Sequence, residues 1–174
     1  MRRTASLAAA LLASACASTA PGPAASDEAR SADAFGRIAA LAGSWKGEFS
    51  MGEEKGPAEV GYRLTGNGSA VEEVLFRGTP HEMITMYHRD GPRLLLTHYC
   101  AAGNQPTMVL APGDDPAVLR FDFLRATNLS SPAASHMHEA TMEFPEPGRV
   151  RASWVHYVDG KAAGTAVLDL RREK

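Results

Sequence analysis

The sequence predicts an all-β fold: a closed antiparallel up-and-down barrel of about ten strands, preceded by one short helix. Two observations indicate this fold. From residue 44 onwards nearly every segment has strand character. Gly, Pro, Asn or Asp sits in most of the gaps, which are short enough to be turns between neighbouring strands. A β-sandwich is the alternative arrangement of such strands.

Composition and charge exclude several classes of protein. The 174 residues are 44% hydrophobic and 22% charged, which are ordinary values for a globular protein and exclude a disordered or fibrous chain. A formal net charge of −2 lacks the basic excess of a nucleic-acid binder, so no nucleic-acid partner is expected. Two cysteines are too few for a disulfide-rich scaffold or a multi-cysteine zinc module.

The N-terminus has the features of an export signal. Two arginines near its start precede a short apolar stretch over residues 7–13, which is too short to span a bilayer. Small residues then lead to Cys16, in a pattern that resembles the bacterial lipobox, in which the cysteine becomes the first mature residue and is acylated. The sequence therefore predicts a signal peptide over 1–15 and lipidation of Cys16. Simple secretion is the alternative, because the same residues fit ordinary signal cleavage.

A tether and a single domain follow the signal peptide. Residues 16–31 are rich in Ala, Ser, Thr and Pro and have no hydrophobic period, which predicts the lipid anchor and a flexible tether. Residues 32–174 form one domain, since no repeat or linker interrupts them. These features predict an exported protein of the bacterial periplasm, held at the membrane through Cys16. Cys100 then has no disulfide partner and is expected to be a buried free thiol.

One short amphipathic helix opens the domain. Asp33 suits its N-cap, apolar residues recur at three- and four-residue spacing from Phe35 to Leu41, and Gly43 suits its end. The strands predicted after it are 44–50, 58–65, 69–77, 81–88, 93–100, 106–111, 117–125, 136–144, 149–158 and 163–171. The sharpest turn signal is the Asp-Gly pair at residues 90–91, which suits a tight hairpin.

The beginning of the domain resembles a known group of barrels. A helix leading into residues 41–47, LAGSWKG, is similar to the opening of calycin-like barrels, which include lipocalins and nitrobindin-type haem proteins. The resemblance implies that the Gly-x-Trp begins the first strand and that the indole closes the barrel floor. The strand number favours the nitrobindin-like form, in which a histidine on the last strand holds haem, but residues 163–171 contain no histidine. Residues 97–106, THYCAAGNQP, also resemble a recurring signature of uncharacterised bacterial lipoproteins.

The apolar faces of two predicted strands, 136–144 and 149–158, set their register. The faces match when Met142 pairs with Ala152, Ala140 with Trp154 and His138 with His156. This register projects three imidazoles toward one end of the barrel, those of His136, His138 and His156. Neutral imidazoles on neighbouring strands suit a transition metal, with His98 or Glu82 as a further ligand. The alternative is a polar barrel mouth in which the histidines bond water and backbone.

The hairpin of 81–88 and 93–100 carries a second set of candidate residues. Both of its faces contain apolar residues, so the pattern alone leaves the inner face open. Burial of a free cysteine favours the face with Leu94, Leu96, His98 and Cys100 as the inner one. His98 and Cys100 have the residue types of a thiol–imidazole pair, but their separation along a strand is too large for ready proton transfer.

Other polar groups are assigned to turns and to the surface. Asn104 and Gln105 follow a glycine and precede a proline, which predicts a turn, with bonds to a ligand as the alternative. The adjacent pair Glu72-Glu73 is predicted to solvate the surface. The chain contains no Gly-x-Ser-x-Gly, phosphate-binding or dinucleotide-binding motif, which weakens an enzyme assignment.

The function predicted from these features is a lipid-anchored periplasmic barrel that binds or carries a small apolar or amphiphilic molecule without catalysis. A pocket of that kind is mostly apolar with a few placed polar groups. The predicted ligand-binding residues are His98, Tyr99, His138, Trp154 and His156. Trp45 is expected as a further wall or floor. No cofactor is predicted; a metal- or haem-dependent activity of the histidine cluster and a structural envelope protein with a filled barrel are the alternatives.

Overall fold

The computed structural model describes residues 23–113 and 115–174. It contains one α-helix, a short 3-10 turn at Gly66–Gly68 and ten strands in the described residues. In chain order they are α1 (Pro23–Ala39), β1 (Gly43–Met51), β2 (Glu54–Thr65), β3 (Ala70–Leu75), β4 (Met83–Asp90), β5 (Arg93–Tyr99), β6 (Gln105–Leu110), β7 (Val118–Thr127), β8 (His136–Glu146), β9 (Arg149–Val158) and β10 (Lys161–Arg172).

The ten strands form a closed barrel in which each strand pairs with its neighbours along the chain. Every pair is antiparallel, and β10 returns to pair with β1, so that Trp45 lies opposite Arg172 and Met51 opposite Ala166. The predicted all-β barrel with one helix ahead of it is therefore confirmed, and the sandwich alternative is excluded. Closure leaves no strand edge unpaired along this seam.

Alternation along the strands separates the barrel interior from its surface. On β5, Leu94, Leu96 and His98 are buried, whereas Arg93 before them and Tyr99 after them are exposed. Successive side chains of a strand point to opposite faces, so the buried set faces the interior. The inner face favoured for this strand from the sequence is confirmed.

Helix α1 is longer than predicted and starts earlier. It already begins at Pro23, so the flexible tether predicted over 16–31 is wrong for residues 23–31, where Ala, Glu and Arg are good helix formers. The Ser31 hydroxyl donates to the Pro92 carbonyl (2.6 Å), which fixes this segment to the turn between β4 and β5. Asp33 lies inside the helix rather than at its N-cap, and Gly43 opens β1 rather than ending the helix.

The predicted signal peptide, and Cys16 with it, lies outside the described residues. Within the described ranges, no helix combines the length and apolarity needed to cross a bilayer.

Helix α1 covers one end of the barrel, which we call the closed end. Its apolar side chains Ala34 and Ile38 are buried in the core together with Leu41 and Trp45. The Trp45 indole N–H donates to the Leu41 carbonyl (2.7 Å), and the Arg172 guanidinium lies 4.5 Å from the centre of the indole ring. Apolar burial and satisfied polar groups together seal this end.

Candidate functional site: a cavity at the open end of the barrel

A cavity of about 520 Å³ opens at the end of the barrel opposite α1. The turn between β1 and β2, the loop between β3 and β4 and the loop after β5 surround its mouth, through Glu54, Thr79 and Ala101 respectively. Its volume falls in the range of small-molecule sites in proteins. The barrel is therefore filled by side chains at its closed end and hollow at the other.

The wall of the cavity is mainly apolar. Phe49, Leu75, Ala166 and Leu168 contribute to it from the inner face of the barrel. Charged side chains occur at the mouth, where Glu54 and Lys55 are exposed. An apolar ligand would bury its surface deep in the cavity, and a polar or charged part would lie near solvent.

Trp154 is a cavity-lining residue with an unsatisfied hydrogen-bond donor. Its side chain is 4% exposed, yet its indole nitrogen Nε1 has no hydrogen-bond partner. Buried polar groups without a partner are uncommon in folded proteins, because each one loses the hydrogen bond that it makes to water. The indole N–H is therefore an unpaired, buried donor in a residue that lines the cavity.

His98 lies beside Trp154 and faces the same cavity. The centres of the two rings are 4.7 Å apart, and the His98 side chain is 2% exposed. Burial lowers the pKa of His98 from 6.5 to about 4, since a charged imidazole is poorly solvated there. One ring nitrogen, Nδ1, is hydrogen-bonded to the Thr85 hydroxyl (3.0 Å), which leaves Nε2 as the ring nitrogen that can bond a ligand.

Glu73 has a carboxyl group that is buried in the barrel interior. It accepts hydrogen bonds from the hydroxyls of Tyr62 (2.6 Å) and Tyr87 (2.8 Å), and the Thr85 hydroxyl also favours its charged form. Burial raises the pKa of Glu73, while the three hydroxyls act against that rise by stabilising the carboxylate. A chain of polar contacts thus runs from Glu73 through Thr85 to His98 at the cavity.

Glu73 was predicted from the sequence to belong to a solvated surface pair, but the structure places it in the barrel interior. The residue is buried because it shares the inner face of β3 with Val71 and Leu75, whereas Glu72 points outward and pairs with Arg63. Alternation with two apolar neighbours was the signal that could have identified Glu73 as an interior residue.

The register predicted for β8 and β9 is confirmed in part. Met142 lies opposite Ala152 and Ala140 opposite Trp154, as predicted, but Met137 rather than His138 lies opposite His156. The difference arises from a β-bulge, in which His138 is an extra residue on β8 with no partner of its own. The bulge brings Met137 to the cavity wall. The predicted pairing of His138 with His156 is wrong.

The predicted histidine cluster separates into two groups. His136 Nε2 and His138 Nδ1 are hydrogen-bonded to each other (2.9 Å), and the His138 ring stacks on Tyr157 with 3.9 Å between ring centres. The His156 Nε2 atom instead bonds the Ser135 hydroxyl (2.7 Å). Burial and the neighbouring His136 both lower the pKa of His138.

These three histidines are not arranged as metal ligands. Over residues 23–113 and 115–174, no three His, Cys, Asp or Glu side chains are grouped so that they could hold a metal ion. Glu82, named from the sequence as a further ligand, accepts a hydrogen bond from the backbone N–H of Gly78 instead (2.6 Å).

Of the five predicted ligand-binding residues, His98 and Trp154 line the cavity, whereas Tyr99, His138 and His156 do not. Tyr99 is on the outer face of β5 and is 49% exposed. Cys100, the free thiol expected to be buried, is half-buried and lines the cavity mouth.

Asn104 and Gln105 serve the turn after β5. The Asn104 amide donates to the Ser135 carbonyl (2.8 Å), and the Gln105 amide donates to the Gly103 carbonyl (3.2 Å). These bonds hold backbone groups, as the turn interpretation predicts, and neither residue lines the cavity.

A second depression, of about 570 Å³, lies outside the barrel between α1 and the connection from β6 to β7. Its wall includes Arg30, Arg37 and Arg120, and the Arg30 guanidinium already donates to the Ala111 carbonyl. Neither of the partnerless buried side-chain atoms found in the described ranges lies in this depression. The barrel cavity is therefore the better candidate, although its volume is slightly smaller.

Comparison with known proteins shows a shared fold. The sequence matches no protein-family model and no curated protein. Among solved structures, the chain is similar to Rv2717c from M. tuberculosis, with 15% sequence identity, a TM-score of 0.57, and coverage of 81% of this chain and 98% of that one. It is also similar to a DUF3598-family protein of unknown function from Nostoc punctiforme, with 12% identity and a TM-score of 0.54.

The match to the Nostoc punctiforme protein covers 76% of this chain and 47% of that one, so this chain spans about half the length of that protein. At such low identities these likenesses establish the barrel fold and carry no information about the ligand or the activity.

Proposed function

We propose that this protein binds or carries a small apolar or amphiphilic molecule in the barrel cavity without changing it chemically. The observation that carries the proposal is a hollow, mainly apolar interior that retains a buried indole N–H without a partner. Both features lower the stability of the empty protein, because unfilled apolar space loses dispersion contacts and an unpaired donor loses a hydrogen bond. A bound amphiphile would remove both deficits.

In this proposal the histidines act as hydrogen-bonding groups, and no metal or haem takes part. Three polar contacts support this role. His98 is held by Thr85, His136 and His138 bond each other, and His156 is held by Ser135. Each imidazole therefore already uses a ring nitrogen in a protein contact.

The test is binding of the neutral fluorescent probe N-phenyl-1-naphthylamine to the purified domain. We expect enhanced fluorescence with the wild type and loss of at least about tenfold in affinity for Ala166→Phe, whose ring would occupy the space that the probe needs. Thr165→Phe is the matched control, because Thr165 is the exposed neighbour of Ala166 on the outer face of β10. Equal binding by both variants would show that the probe binds elsewhere.

Native mass spectrometry of the protein purified from its own cell envelope gives the complementary measurement. We expect a non-covalent adduct with the mass of an organic molecule and no bound metal or haem. A stoichiometric metal or a Soret band would contradict this part of the proposal.

We also propose that the protein is exported to the bacterial periplasm and anchored by a lipid at Cys16. Support comes from the arginines, the short apolar stretch and the small residues that precede this cysteine. Cys16→Ser is expected to move the protein from the membrane fraction to the soluble periplasmic fraction and to abolish incorporation of labelled palmitate. Unchanged fractionation and labelling would contradict the anchor.

A further inference from the structure

We infer that the ligand presents a neutral hydroxyl group to the cavity, which accepts a hydrogen bond from Trp154 Nε1 and donates one to His98 Nε2. The inference rests on the proposed binding function and adds the chemical class of the polar group: an alcohol, rather than a carboxylate or an amine.

The first requirement comes from Trp154. Indole nitrogen is a hydrogen-bond donor only, and in this cavity-lining residue it is buried without a partner. A matching ligand therefore places an acceptor at this point of the wall. A hydroxyl or carboxylate oxygen meets this requirement, whereas an ammonium group has no acceptor to offer.

The second requirement comes from His98. The contact of its Nδ1 atom with Thr85 decides whether its Nε2 atom accepts or donates a hydrogen bond. The Thr85 hydroxyl has one proton; its oxygen lies 3.0 Å from His98 Nδ1, and it favours the charged form of the Glu73 carboxyl. When that proton is donated to the Glu73 carboxylate, the Thr85 oxygen accepts from His98 Nδ1–H. The neutral imidazole then has an unprotonated Nε2, which accepts a hydrogen bond from the ligand.

The two requirements apply to one small region, because the rings of His98 and Trp154 are in contact, with 4.7 Å between their centres. A hydroxyl can accept and donate through a single oxygen. A carboxylate meets the Trp154 donor but faces the lone pair of His98 Nε2 and the buried Glu73 behind it. The lysine at the cavity, Lys55, is exposed at the mouth and does not compensate a charge at this depth.

The experiment titrates the domain with four decyl compounds that differ only at the polar end: 1-decanol, 1-methoxydecane, decane and decanoate. Binding is followed by ¹H–¹⁵N NMR of the indole groups, since the chain has two tryptophans. We expect 1-decanol and 1-methoxydecane to move the Trp154 indole proton downfield, and decane to leave it in place. Trp45 is the internal reference, because its N–H is already bonded to the Leu41 carbonyl.

Two variants separate the hydrogen bond that the ligand accepts from Trp154 from the one that it donates to His98. Trp154→Phe is expected to lower the affinity for 1-decanol and 1-methoxydecane about three- to tenfold, since one hydrogen bond is lost. The affinity for decane is expected to stay unchanged. His98→Phe is expected to lower the affinity for 1-decanol by a similar factor. The affinity for 1-methoxydecane should not change, because an ether cannot donate a hydrogen bond. Decanoate is expected to bind the wild type about tenfold more weakly than 1-decanol at neutral pH, since its charge is desolvated without compensation.

The outcomes distinguish a failure of this inference from a failure of the proposed binding function. If none of the four compounds binds, the proposed binding function fails and the inference fails with it. If all four bind and the Trp154 signal responds equally to decane and 1-decanol, or if decanoate binds most tightly, only the inference is overturned. The NMR titration uses the wild-type protein, so it decides the question even where a variant folds poorly.

Discussion

A tryptophan lies at each end of the barrel. The two indoles differ in their hydrogen bonds and in how closely other side chains pack around them. At the closed end, the Trp45 N–H is bonded to the Leu41 carbonyl, Arg172 lies over the ring, and Tyr62 packs edge-on with 6.4 Å between ring centres. At the open end, Trp154 borders a cavity and its N–H has no partner.

The contrast separates regions that stabilise the fold from regions that are available to a ligand. Filled space and satisfied hydrogen bonds lower the free energy of the folded chain. Unfilled space and a free donor do the reverse, and a ligand can recover that free energy on binding. Mutations at the closed end should therefore change stability, and mutations at the open end should mainly change binding.

The largest loss of stability is expected for Gly47→Ala at the β1–β10 seam. A Cβ atom at Gly47 would overlap the backbone carbonyl of Asp169 on β10, so the seam must open to accept it. We expect a loss of about 3 kcal/mol or more in the free energy of unfolding, measured in urea. Gly61→Ala is the control within β2, since a Cβ there makes only an ordinary contact of 3.7 Å with the Arg77 guanidinium. Similar losses in both would contradict the close approach.

A smaller effect is expected from the titration of His98. Its pKa is lowered from 6.5 to about 4 in the folded protein, so between these values the unfolded chain binds a proton that the folded chain does not. Stability therefore falls as the pH falls through this window and levels off below it. The raised pKa of Glu73 acts in the opposite direction, because the folded protein takes up a proton there more readily as the pH falls.

His98→Phe isolates the contribution of the imidazole. Between pH 7.5 and pH 5 the wild type should lose about 2 kcal/mol more stability than this variant, as given by urea unfolding at both pH values. Tyr99→Phe, on the outer face of the same strand, should retain the wild-type pH dependence. Equal pH dependence in wild type and His98→Phe would show that His98 is solvated.

The smallest effects are expected when each indole is replaced by a phenyl ring. Trp45→Phe leaves the Leu41 carbonyl without its donor and removes the contact with Arg172, which should destabilise the fold by about 1–2 kcal/mol. Trp154→Phe loses similar packing but removes a donor that has no partner, so its loss should be about 1 kcal/mol smaller than that of Trp45→Phe. Thermal or urea unfolding of the two variants compares the two ends directly, and a larger loss for Trp154→Phe would reverse the interpretation.

Local sequence signals predicted most of the fold. The strand predicted at 93–100 is β5, Arg93–Tyr99, and the strand predicted at 149–158 has the same bounds as β9. Turn residues and inward alternation mark such strands because both act over a few residues. The first turns of α1 were missed because their Ala- and Ser-rich composition also suits a flexible segment.

The candidate site was predicted only in part, because it depends on contacts between distant strands. Alternation identified His98 and Trp154 as interior residues, and the same rule applied to β3 would have identified Glu73. The bulge at His138 has no glycine or proline to mark it, and one extra residue moved Met137 into the place expected for a histidine. The missing partner of Trp154 depends on which atoms other strands bring near it, and no local pattern encodes that.

Selective fluorescence quenching tests most directly whether the cavity at Trp154 is the binding site. The two single-tryptophan proteins, Trp45→Phe and Trp154→Phe, are titrated with 1-bromodecane, whose heavy atom quenches an indole only at contact. We predict saturable quenching of Trp154 in the first protein and unchanged emission of Trp45 in the second. Equal quenching of both, or saturable quenching of Trp45 alone, would contradict a binding site at the open end of the barrel.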